Sequence, residues 1–361
     1  RQAMMKNLKI SGSEQSIYSK NYREIITLHL ISELEKAEKR LERIKKNHSQ
    51  ENALKEIKEL VFEWQTRLKL VEKNVSVEEP IFCFHRIVLS ETKNRLQKIF
   101  NDNSRLSEMI DGEIGRLWMR STNLACKNKM FNQAQIYILN AETYEPKDLY
   151  IKKAKMNWLK GDQNNAFKIL ELGEIKLRNN REENCLSLDE KKILSKGRLM
   201  VARFNAEAIN VEFTANKKLF KKAVVQGAEN EKVFLLTAEY MDRHYSKQDD
   251  NQLAKIGSSD EMEEVMQTYL KSMKVGNEYV FQSMPRFLSI WLDTTAREYN
   301  DKRRDNVARL NKIAEDAANK LLPYYFYTAL SQLMSRICHK SSEVFAVLKL
   351  ILVKLIKAHP Q

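Results

Sequence analysis

A repeat of 32 residues in the middle of the sequence constrains the fold more than any other feature. Small and apolar residues recur at this spacing, in the same order, along two successive segments. The matched pairs are Leu117 with Leu149, Trp118 with Tyr150, Leu124 with Met156, Ala134 with Ala166, and Ile138 with Leu170. The period is close to the ~34 residues of tetratricopeptide repeats, in which each helical hairpin buries its inner face against its neighbours. The sequence therefore predicts a row of stacked helical hairpins.

The second unit, DLYIKKAKMNWLKGDQNNAFKILELG, shows the hairpin pattern most clearly. Gly161 is predicted to end its first helix as a C-cap, because glycine adopts the left-handed backbone conformation without steric cost. Asp162 is predicted to begin the next helix as an N-cap, and Ala166 is small enough for close helix packing. Less regular units follow, and 361 residues at this period correspond to roughly ten units. We therefore predict an α-solenoid of tetratricopeptide-like and HEAT-like helical hairpins for the whole chain.

Composition supports the all-α class. The chain contains only nine Gly and five Pro, so tight turns and Pro-rich linkers are scarce, and few stretches alternate as strands do. We divide the predicted helical region, 1–361, into N-terminal hairpins (1–116), tetratricopeptide-like repeats (117–245) and C-terminal helix pairs (261–361). At this length and 43% hydrophobic content the chain can bury a large core.

The N-terminal helices follow from apolar periodicity. A first helix is predicted from about Tyr18 to Asn47 and a second from about Glu51 to Lys73, with its partner after a turn near Pro80. Polar stretches at about 179–190 and 246–260 are interpreted as loops between helix pairs. The apolar stripe of the first helix comprises Leu30, Leu34, Ala37, Leu41 and Ile44, and that of the second Leu54, Ile57, Leu60, Val61, Trp64, Leu68 and Val71.

The net charge of +14 comes from 62 basic and 48 acidic residues that are spread through the chain. A nucleic-acid surface or an acidic partner is one interpretation of this surplus. Lys-rich outer helix faces that keep a large helical protein soluble are the interpretation we favour. Because no basic run with interleaved aromatic residues is present, direct nucleic-acid binding is not expected.

Cysteine and histidine positions give no sign of a metal site. Cys83, Cys126, Cys185 and Cys338 are scattered, which suits reduced thiols in the nucleus or cytosol. Cys338 and His339 are adjacent, but neighbouring residues on a helix point in different directions. The apolar stretch EVFAVLKLILVKLIKAHP is interrupted by lysines and is predicted to be a buried helix rather than a membrane span. The first residue is Arg, which suggests an excised fragment.

The templates of common active sites are missing from the sequence. It contains no G-x-x-x-x-G-K-[ST], G-x-G-x-x-G, H-E-x-x-H or G-x-S-x-G motif. The triplet Asp242-Arg243-His244 resembles the catalytic-loop D-R-H of phosphatidylinositol-3-kinase-related kinases. In that family an Asn that binds magnesium should follow, and Lys247 stands there instead; no D-F-G follows either. We interpret the triplet as the polar surface end of a helix and predict no catalytic residue in this segment.

Two stretches near the C-terminus resemble the FAT region of the ATR-type checkpoint serine/threonine kinases, within the phosphatidylinositol-3-kinase-related kinase family. The first is FQSMPRFLSIWLD, where Gln282, Ser283, Met284, Pro285, Arg286, Leu288, Trp291, Leu292 and Asp293 fit the family pattern. The second is LPYYFYTALSQLMSRICHKSSEVFAVL, where Pro323, Tyr324, Phe326, Thr328, Ala329, Ser331, Gln332, Leu333, Ser335, Arg336, Ile337, Cys338 and His339 fit. Weaker matches lie upstream in the family's order, at 28–35, 78–89, 139–141, 149–162 and 197–207. The middle loops and 89–116 depart from the pattern.

The resemblance implies an arc of helix pairs that wraps around a kinase domain lying further toward the C-terminus. It implies no cofactor in this segment, and ATP and Mg²⁺ for the parent kinase. It further implies phosphorylation of Ser/Thr-Gln sites in the nucleus after DNA damage or replication stress, an ATRIP-type partner, and homodimerisation of the parent. The alternative is a stand-alone tetratricopeptide-type adaptor that binds a peptide or an acidic partner on a concave basic face.

Individual motif residues receive structural roles. Trp64, Trp118, Trp158 and Trp291 are predicted to be core anchors. Arg286 and Arg336 are candidates for fixed hydrogen bonds between helix pairs or to the kinase domain, with ordinary solvated side chains as the alternative. His339 is predicted to lie at a helix terminus where the dipole favours it.

The sequence also predicts a role for Pro285, the proline inside the first motif. If Ser283 is an N-cap, Pro285 falls in the first turn of a new helix, where its missing N–H would have had no partner. A preceding helix at about Glu261–Lys274 and a turn at Gly276 would complete the pair. Pro323 is predicted to start a helix in the same way.

Overall fold

The structure, a computed structural model, describes residues 18–100, 104–179, 181–246, 258–300 and 304–360. Every regular element in these ranges is a helix, which confirms the predicted all-α class. The chain forms two compact units that divide between Glu171 and Leu172.

In its described residues, the first unit contains six complete helices and the first part of a seventh. They are α1 (Tyr18–Asn47), α2 (Gln50–Leu68), α3 (Val75–Ile99), α4 (Ser104–Lys127), α5 (Phe131–Glu142), α6 (Leu149–Lys160) and α7 (Gln163–Arg178), and the unit boundary falls inside α7. Several helices that follow one another in sequence pack together, as α1 does with α2, α4 with α3 and α5, and α5 with α6. This is the arrangement of a helical-repeat protein.

The described part of the second unit continues after α7 with a short 3-10 turn and nine further helices. They are Glu183–Cys185 (3-10), α8 (Leu188–Ala208), α9 (Phe213–Gln226), α10 (Glu231–Tyr245), α11 (Ser258–Val275), α12 (Val280–Asn300), α13 (Arg304–Lys320), α14 (Pro323–Tyr327), α15 (Leu330–Ser335) and α16 (Ser342–Ala358). From α8 to α13 each helix packs against the next, α13 also contacts α11 and α16, and α14 contacts α12 and α16. One large apolar core runs through α10 to α16, with Tyr269, Phe287 and Trp291 among its fully buried side chains.

The 32-residue repeat corresponds to real helical hairpins. Gly161 ends α6 in the left-handed region at φ 91°, and the Asp162 side chain accepts a hydrogen bond from the Asn165 N–H at 3.1 Å. Ala166 is completely buried. The two repeats also contact each other at equivalent positions, because Lys155 Nζ donates to Asn123 Oδ1 at 3.2 Å. The predicted caps and the close packing at the alanine are confirmed.

The first hairpin departs from the predicted heptad stripe at one position. Ala37, Leu41 and Ile44 are buried as expected, but Leu34 is exposed and Glu33 is buried in its place. The Glu33 carboxylate accepts hydrogen bonds from Arg67 and from the His85 ring, at 3.1 and 2.9 Å. A buried carboxylate is tolerated when charged or polar donors surround it in this way, and apolar spacing alone does not reveal such partners.

Two predicted loops differ from the observed ones. The turn after α2 comprises residues between Leu68 and Val75, and Pro80 lies inside α3 rather than in the turn. The Asn74 side chain begins α3 by accepting from the Ser76 N–H at 3.1 Å, so the helix starts before the proline. The loop predicted at 179–190 ends earlier, because Ser187 and Glu190 form a capping box that starts α8. Residues 247–257 of the other predicted loop lie outside the described residues.

The last helix is the buried amphipathic element that the sequence predicts. Its inner face includes Val344, Leu348 and Ile351, and Lys354 Nζ donates to the Ala318 carbonyl near the end of α13 at 2.9 Å. Among the helices that the structure describes, none is both long and apolar enough to cross a membrane.

We predict that Gly161→Ala lowers the free energy of unfolding by about 1–2 kcal/mol, because alanine is strained at a left-handed position. A new Cβ there has open space, so no clash adds to this cost. Gly112→Ala is the matched control, since its Cβ also meets nothing but the residue lies inside α4. The control should be neutral or stabilising by about 0.5–1 kcal/mol. Urea unfolding of both variants measures the difference, and equal effects would contradict it.

Candidate functional site

The start of α12, which carries the first family motif, is fixed by a carboxylate from another helix. Glu231, at the beginning of α10, is buried and accepts hydrogen bonds from the backbone N–H groups of Glu278 and Tyr279 at 3.0 and 2.9 Å. The Tyr279 carbonyl in turn accepts from the N–H groups of Gln282 and Ser283. Glu231 therefore satisfies donors at the helix start that would otherwise have no intrahelical partner.

Because of this long-range cap, the prediction of Ser283 as N-cap is wrong. The helix begins at Val280, three residues before Ser283, and the Ser283 side chain is completely buried. Its hydroxyl has no hydrogen-bond partner among the described atoms. Ser283 thus lies in the helix body and faces the core.

Pro285 occupies the second turn of α12 rather than the first. It is the sixth residue of the helix, so its missing N–H leaves the Phe281 carbonyl without an intrahelical donor. Phe281 is strongly exposed, and water can reach that carbonyl. Pro80 is likewise the sixth residue of α3. Pro323, by contrast, is the first residue of α14, as predicted.

One face of α12 packs in the core of the second unit. Met284, Phe287, Leu288 and Trp291 are all fully buried, which confirms the apolar stripe and the role of Trp291 as a core anchor. These side chains come from positions i, i+3, i+4 and i+7 and so share one side of the helix.

A second stripe on α12 is polar, and we call it the α12 ridge: Gln282, Arg286, Ser289 and Asp293. These residues are spaced i, i+4, i+7 and i+11 and therefore also share a face. Gln282, Arg286 and Asp293 are exposed, and Ser289 is half-buried. Helices α10 and α15 supply polar partners to the ridge.

The central contact of the ridge is a bidentate ion pair between Arg286 and Asp242 of α10. Arg286 Nε donates to Asp242 Oδ2 at 2.6 Å, and Arg286 Nη2 donates to Oδ1 at 2.8 Å. Tyr269 Oη also donates to Oδ2 at 3.3 Å, and the Ser246 hydroxyl donates to Oδ1 at 3.0 Å. The prediction that Arg286 makes fixed hydrogen bonds between helix pairs is confirmed.

The electrostatics follow from this geometry. The hydrogen bonds to Asp242 raise the pKa of the Arg286 guanidinium, so it stays charged. Burial, together with the negative charge of Asp242, raises the pKa of the Tyr269 phenol, which therefore remains a proton donor. Asp242 is only 5% exposed, and its charge is compensated by the fork of the arginine.

This arrangement decides the interpretation of the Asp242-Arg243-His244 triplet. The triplet lies in the last turn of α10, but Asp242 is buried rather than on the surface, which corrects one part of the prediction. Both carboxylate oxygens accept from Arg286, so Asp242 does not fit the role of the aspartate that lies at the substrate hydroxyl in the related kinases. His244 stacks on Phe213 at 3.6 Å between ring centroids, and its burial and the charge of Lys217 lower the pKa of its imidazole.

The second family motif contacts the opposite side of the ridge. Gln332 Nε2 donates to Ser289 Oγ at 2.7 Å, and Arg336 Nη2 donates to Asp293 Oδ1 at 2.7 Å. Both members of the Arg336 pair are about half exposed, and such pairs contribute little stability. Ser331 and Cys338 are exposed. The motif therefore forms two short helices and a turn that lie along α12.

The start of the second motif binds the turn between α11 and α12. Tyr325 Oη donates to the Gly276 carbonyl at 3.2 Å, and Tyr324 Oη accepts from Asn277 Nδ2 at 3.1 Å. Gly276 lies in the predicted turn, and the structure adds a second reason for a glycine there. A Cβ at this position would lie 2.3 Å from Glu231 Oε2. The glycine thus leaves room for the carboxylate that caps α12.

His339 does not lie at a helix C-terminus, so the predicted dipole interaction is wrong. It precedes the N-terminus of α16, and its Nδ1 accepts from the Ser341 N–H at 3.2 Å. Burial lowers the pKa of the imidazole, and the charge of Arg336 adds to this effect. A neutral ring suits the position, because the nearby helix end carries partial positive charge.

Sequence reasoning missed the partners that hold these motifs. Glu231 and Tyr269 were not singled out in the sequence, and Asp242 was interpreted only as part of a polar helix end. The one usable signal was Asn230 followed by Glu231, a typical helix start, but nothing nearby in sequence indicates that this carboxylate caps a different helix. Among the described residues, no group of three His, Cys, Asp or Glu side chains could hold a metal ion.

We predict that Arg286→Ala lowers the free energy of unfolding by about 2–3 kcal/mol, because it leaves the buried Asp242 without its charged partner. Arg336→Ala is the matched control, since it removes an exposed pair on the same ridge and should cost about 0.5 kcal/mol or less. In a double-mutant cycle, Asp242→Asn combined with Arg286→Ala should cost less than the two single changes together. Additive losses in urea unfolding would contradict the coupling.

We also predict that Pro285→Ala changes the free energy of unfolding by less than about 1 kcal/mol, because alanine supplies the missing N–H while it removes little packing. Pro80→Ala tests the same position in α3 and should behave alike. Thermal and urea unfolding measure both variants. A loss of more than about 2 kcal/mol for Pro285→Ala alone would mean that the proline has a role besides its place in the helix.

Two family models match the chain in succession. The FAT domain model matches residues 1–289, and the model described as "Serine/threonine-protein kinase ATR-like, HEAT repeats" matches residues 309–361. The first covers the repeat region and the first motif as far as Ser289. The second covers the last helices, including the second motif.

Similar proteins are ATR-type kinases from several kingdoms. The serine/threonine-protein kinase ATR of Drosophila melanogaster is 31% identical over 365 residues, which cover 100% of this chain and 14% of that protein. The ATR kinase of Arabidopsis thaliana is 22% identical over 417 residues, with the same coverage of 100% and 14%. The serine/threonine-protein kinase MEC1 of Candida albicans is 26% identical over 252 residues, 69% of this chain and 10% of that protein. The chain thus spans about a seventh of the length of the first two relatives. It belongs to the FAT domain family, as this domain occurs in ATR-type serine/threonine-protein kinases.

Proposed function

We propose that this chain is a non-catalytic scaffold segment of an ATR-like serine/threonine-protein kinase, which cradles and regulates the kinase domain in the DNA damage and replication checkpoint. The observation that carries the proposal is the environment of Asp242. Asp242, which resembles a catalytic aspartate, is buried in an ion pair with Arg286 and accepts a hydrogen bond from the Tyr269 hydroxyl. Its oxygens therefore serve helix packing rather than phosphoryl transfer.

The contacts along α12 suit a segment whose helices keep a fixed arrangement. Helix α10 is joined to α12 at two places, through Glu231 at the start and through Asp242 in the second turn. Tyr325 ties the second motif to the turn before α12. Polar bonds between hairpins add directional restraint to the apolar core, because they fix the register of one helix against the next.

Membership of the FAT family supports several features of the parent protein as part of the proposal. Its kinase domain would use ATP and Mg²⁺, and this segment would contact that domain of the same chain. An ATRIP-type partner, homodimerisation and a nuclear location belong to the same proposal. No helix in the described residues argues for a membrane location.

The test uses the full-length parent kinase. We expect Arg286→Ala to lower kcat toward a Ser/Thr-Gln peptide while KM for ATP stays unchanged, because the substitution disturbs the scaffold and not the nucleotide site. Arg336→Ala, which removes the exposed partner of the ridge residue Asp293, should leave both constants unchanged. Unaltered activity of the Arg286 variant would contradict a regulatory role for this segment.

A second measurement separates the scaffold from an enzyme. Asp242→Asn retains an oxygen that accepts from Arg286, so we expect reduced stability but residual kinase activity. Complete loss of ATP turnover in a variant that still melts cooperatively would assign chemistry to Asp242 instead. The alternative of a stand-alone adaptor is less well supported, because the match to much longer kinases covers the whole chain.

A further inference from the structure

A cleft in the second unit lies where three helices begin. Its volume is about 830 Å³. Its walls are the first turns of α8, the turn between α9 and α10, and the turn between α11 and α12. We call it the hairpin-tip cleft and define it by Leu188, Lys191, Lys192, Lys196, Val225, Glu229, Lys232, Val275, Glu278 and Tyr279.

The floor of the hairpin-tip cleft is rigid. Two glycines lie where a Cβ would collide, 2.2 Å from Ser195 Oγ at Gly227 and 2.3 Å from Glu231 Oε2 at Gly276. Ser195 Oγ donates to the Ala223 carbonyl at 2.8 Å, and Ser272 Oγ donates to the Glu231 carbonyl at 3.1 Å. The cleft is therefore preformed, which lowers the entropic cost of binding a partner.

The charges that line the cleft leave a positive surplus. Lys192 pairs with Glu229 at 3.1 Å, and both oxygens of Glu231 are used by backbone N–H groups. Lys191 Nζ donates to the Asn184 carbonyl at 3.3 Å, and Lys232 Nζ lies 5.9 Å from the centre of the Tyr279 ring. The lining as a whole carries four lysines and three glutamates, so its surplus is one positive charge. Lys196 and Lys232 are exposed, so their ammonium groups are available to an anionic partner.

Aliphatic side chains interrupt the basic surface. Leu188, Val225 and Val275 are 58%, 73% and 38% exposed. Exposed aliphatic groups at a concave basic surface are typical of a protein-binding site, because they gain free energy when an apolar side chain covers them. The cleft thus offers two kinds of contact, one to negative charge and one to apolar groups.

We propose that the hairpin-tip cleft binds an acidic segment of a partner protein that also carries aliphatic side chains. A nucleic acid fits less well. Its bases need stacking platforms, and Tyr279 is the one aromatic residue among those that line the cleft. Glu229 and Glu278 at the walls would repel a continuous phosphate backbone, whereas a peptide can place its acidic groups beside the lysines. This inference goes beyond the scaffold role and does not depend on it.

The experiment measures binding to the full 361-residue chain by fluorescence anisotropy. The probe is a fluorescein-labelled peptide, Glu-Glu-Leu-Asp-Glu-Leu-Glu-Asp. We expect binding that weakens as salt rises. The triple variant Lys191→Ala, Lys196→Ala, Lys232→Ala should bind about tenfold more weakly. The matched control removes the same charge outside the cleft, from exposed lysines: Lys218→Ala, Lys222→Ala, Lys340→Ala. It should bind within about twofold of the unmodified chain.

A further variant and a competition experiment can each contradict the proposal. Val225→Asp should weaken peptide binding severalfold without a loss of stability, because the side chain is exposed. An oligo-dT competitor should not displace the peptide. Equal weakening by the two lysine triples, no effect of Val225→Asp, or displacement by oligo-dT would each overturn the proposal. The assay does not involve kinase activity, so its failure is distinguishable from failure of the scaffold role.

Discussion

The ion pair between Asp242 and Arg286 is the contact on which the second unit most depends. A buried carboxylate is costly unless charge and hydrogen bonds compensate it. Here the compensation comes from α12 through Arg286 and from α11 through Tyr269, while the carboxylate belongs to α10. Three successive helices are therefore fixed around one charge. The bidentate geometry of the arginine fork adds directional restraint to the apolar packing of these helices.

Glu231 applies the same principle at the other end of α10. Its carboxylate caps α12, and Gly276 must lack a side chain to make room for it. The capping group comes from a residue that lies 48 positions upstream of the capped N–H at Tyr279. Helix α12 can then begin at Val280 and include a proline in its second turn, since its start does not rely on a local cap.

Local and repeated features were predictable from the sequence, whereas contacts that link distant charges were not. The 32-residue period, the C-cap at Gly161 and the buried stripe around Trp291 depend on neighbouring residues only, and the structure has them as predicted. Ser283 was misassigned because a distant carboxylate replaced the local cap. Leu34 was misassigned because Glu33 is buried with Arg67 and His85, a pairing that apolar periodicity does not contain.

The two polar surfaces of the second unit differ in how far their charges are compensated. Along the α12 ridge, Arg286 and Arg336 already have carboxylate partners within the chain, so a neighbouring domain can cover the ridge without stranding an unpaired charge. In the hairpin-tip cleft, the lysines other than Lys192 have no such partners among the residues that line it, and an uncharged neighbour would desolvate them at a cost. The ridge thus suits packing against a neighbouring protein surface. The cleft favours a ligand that brings its own negative charge.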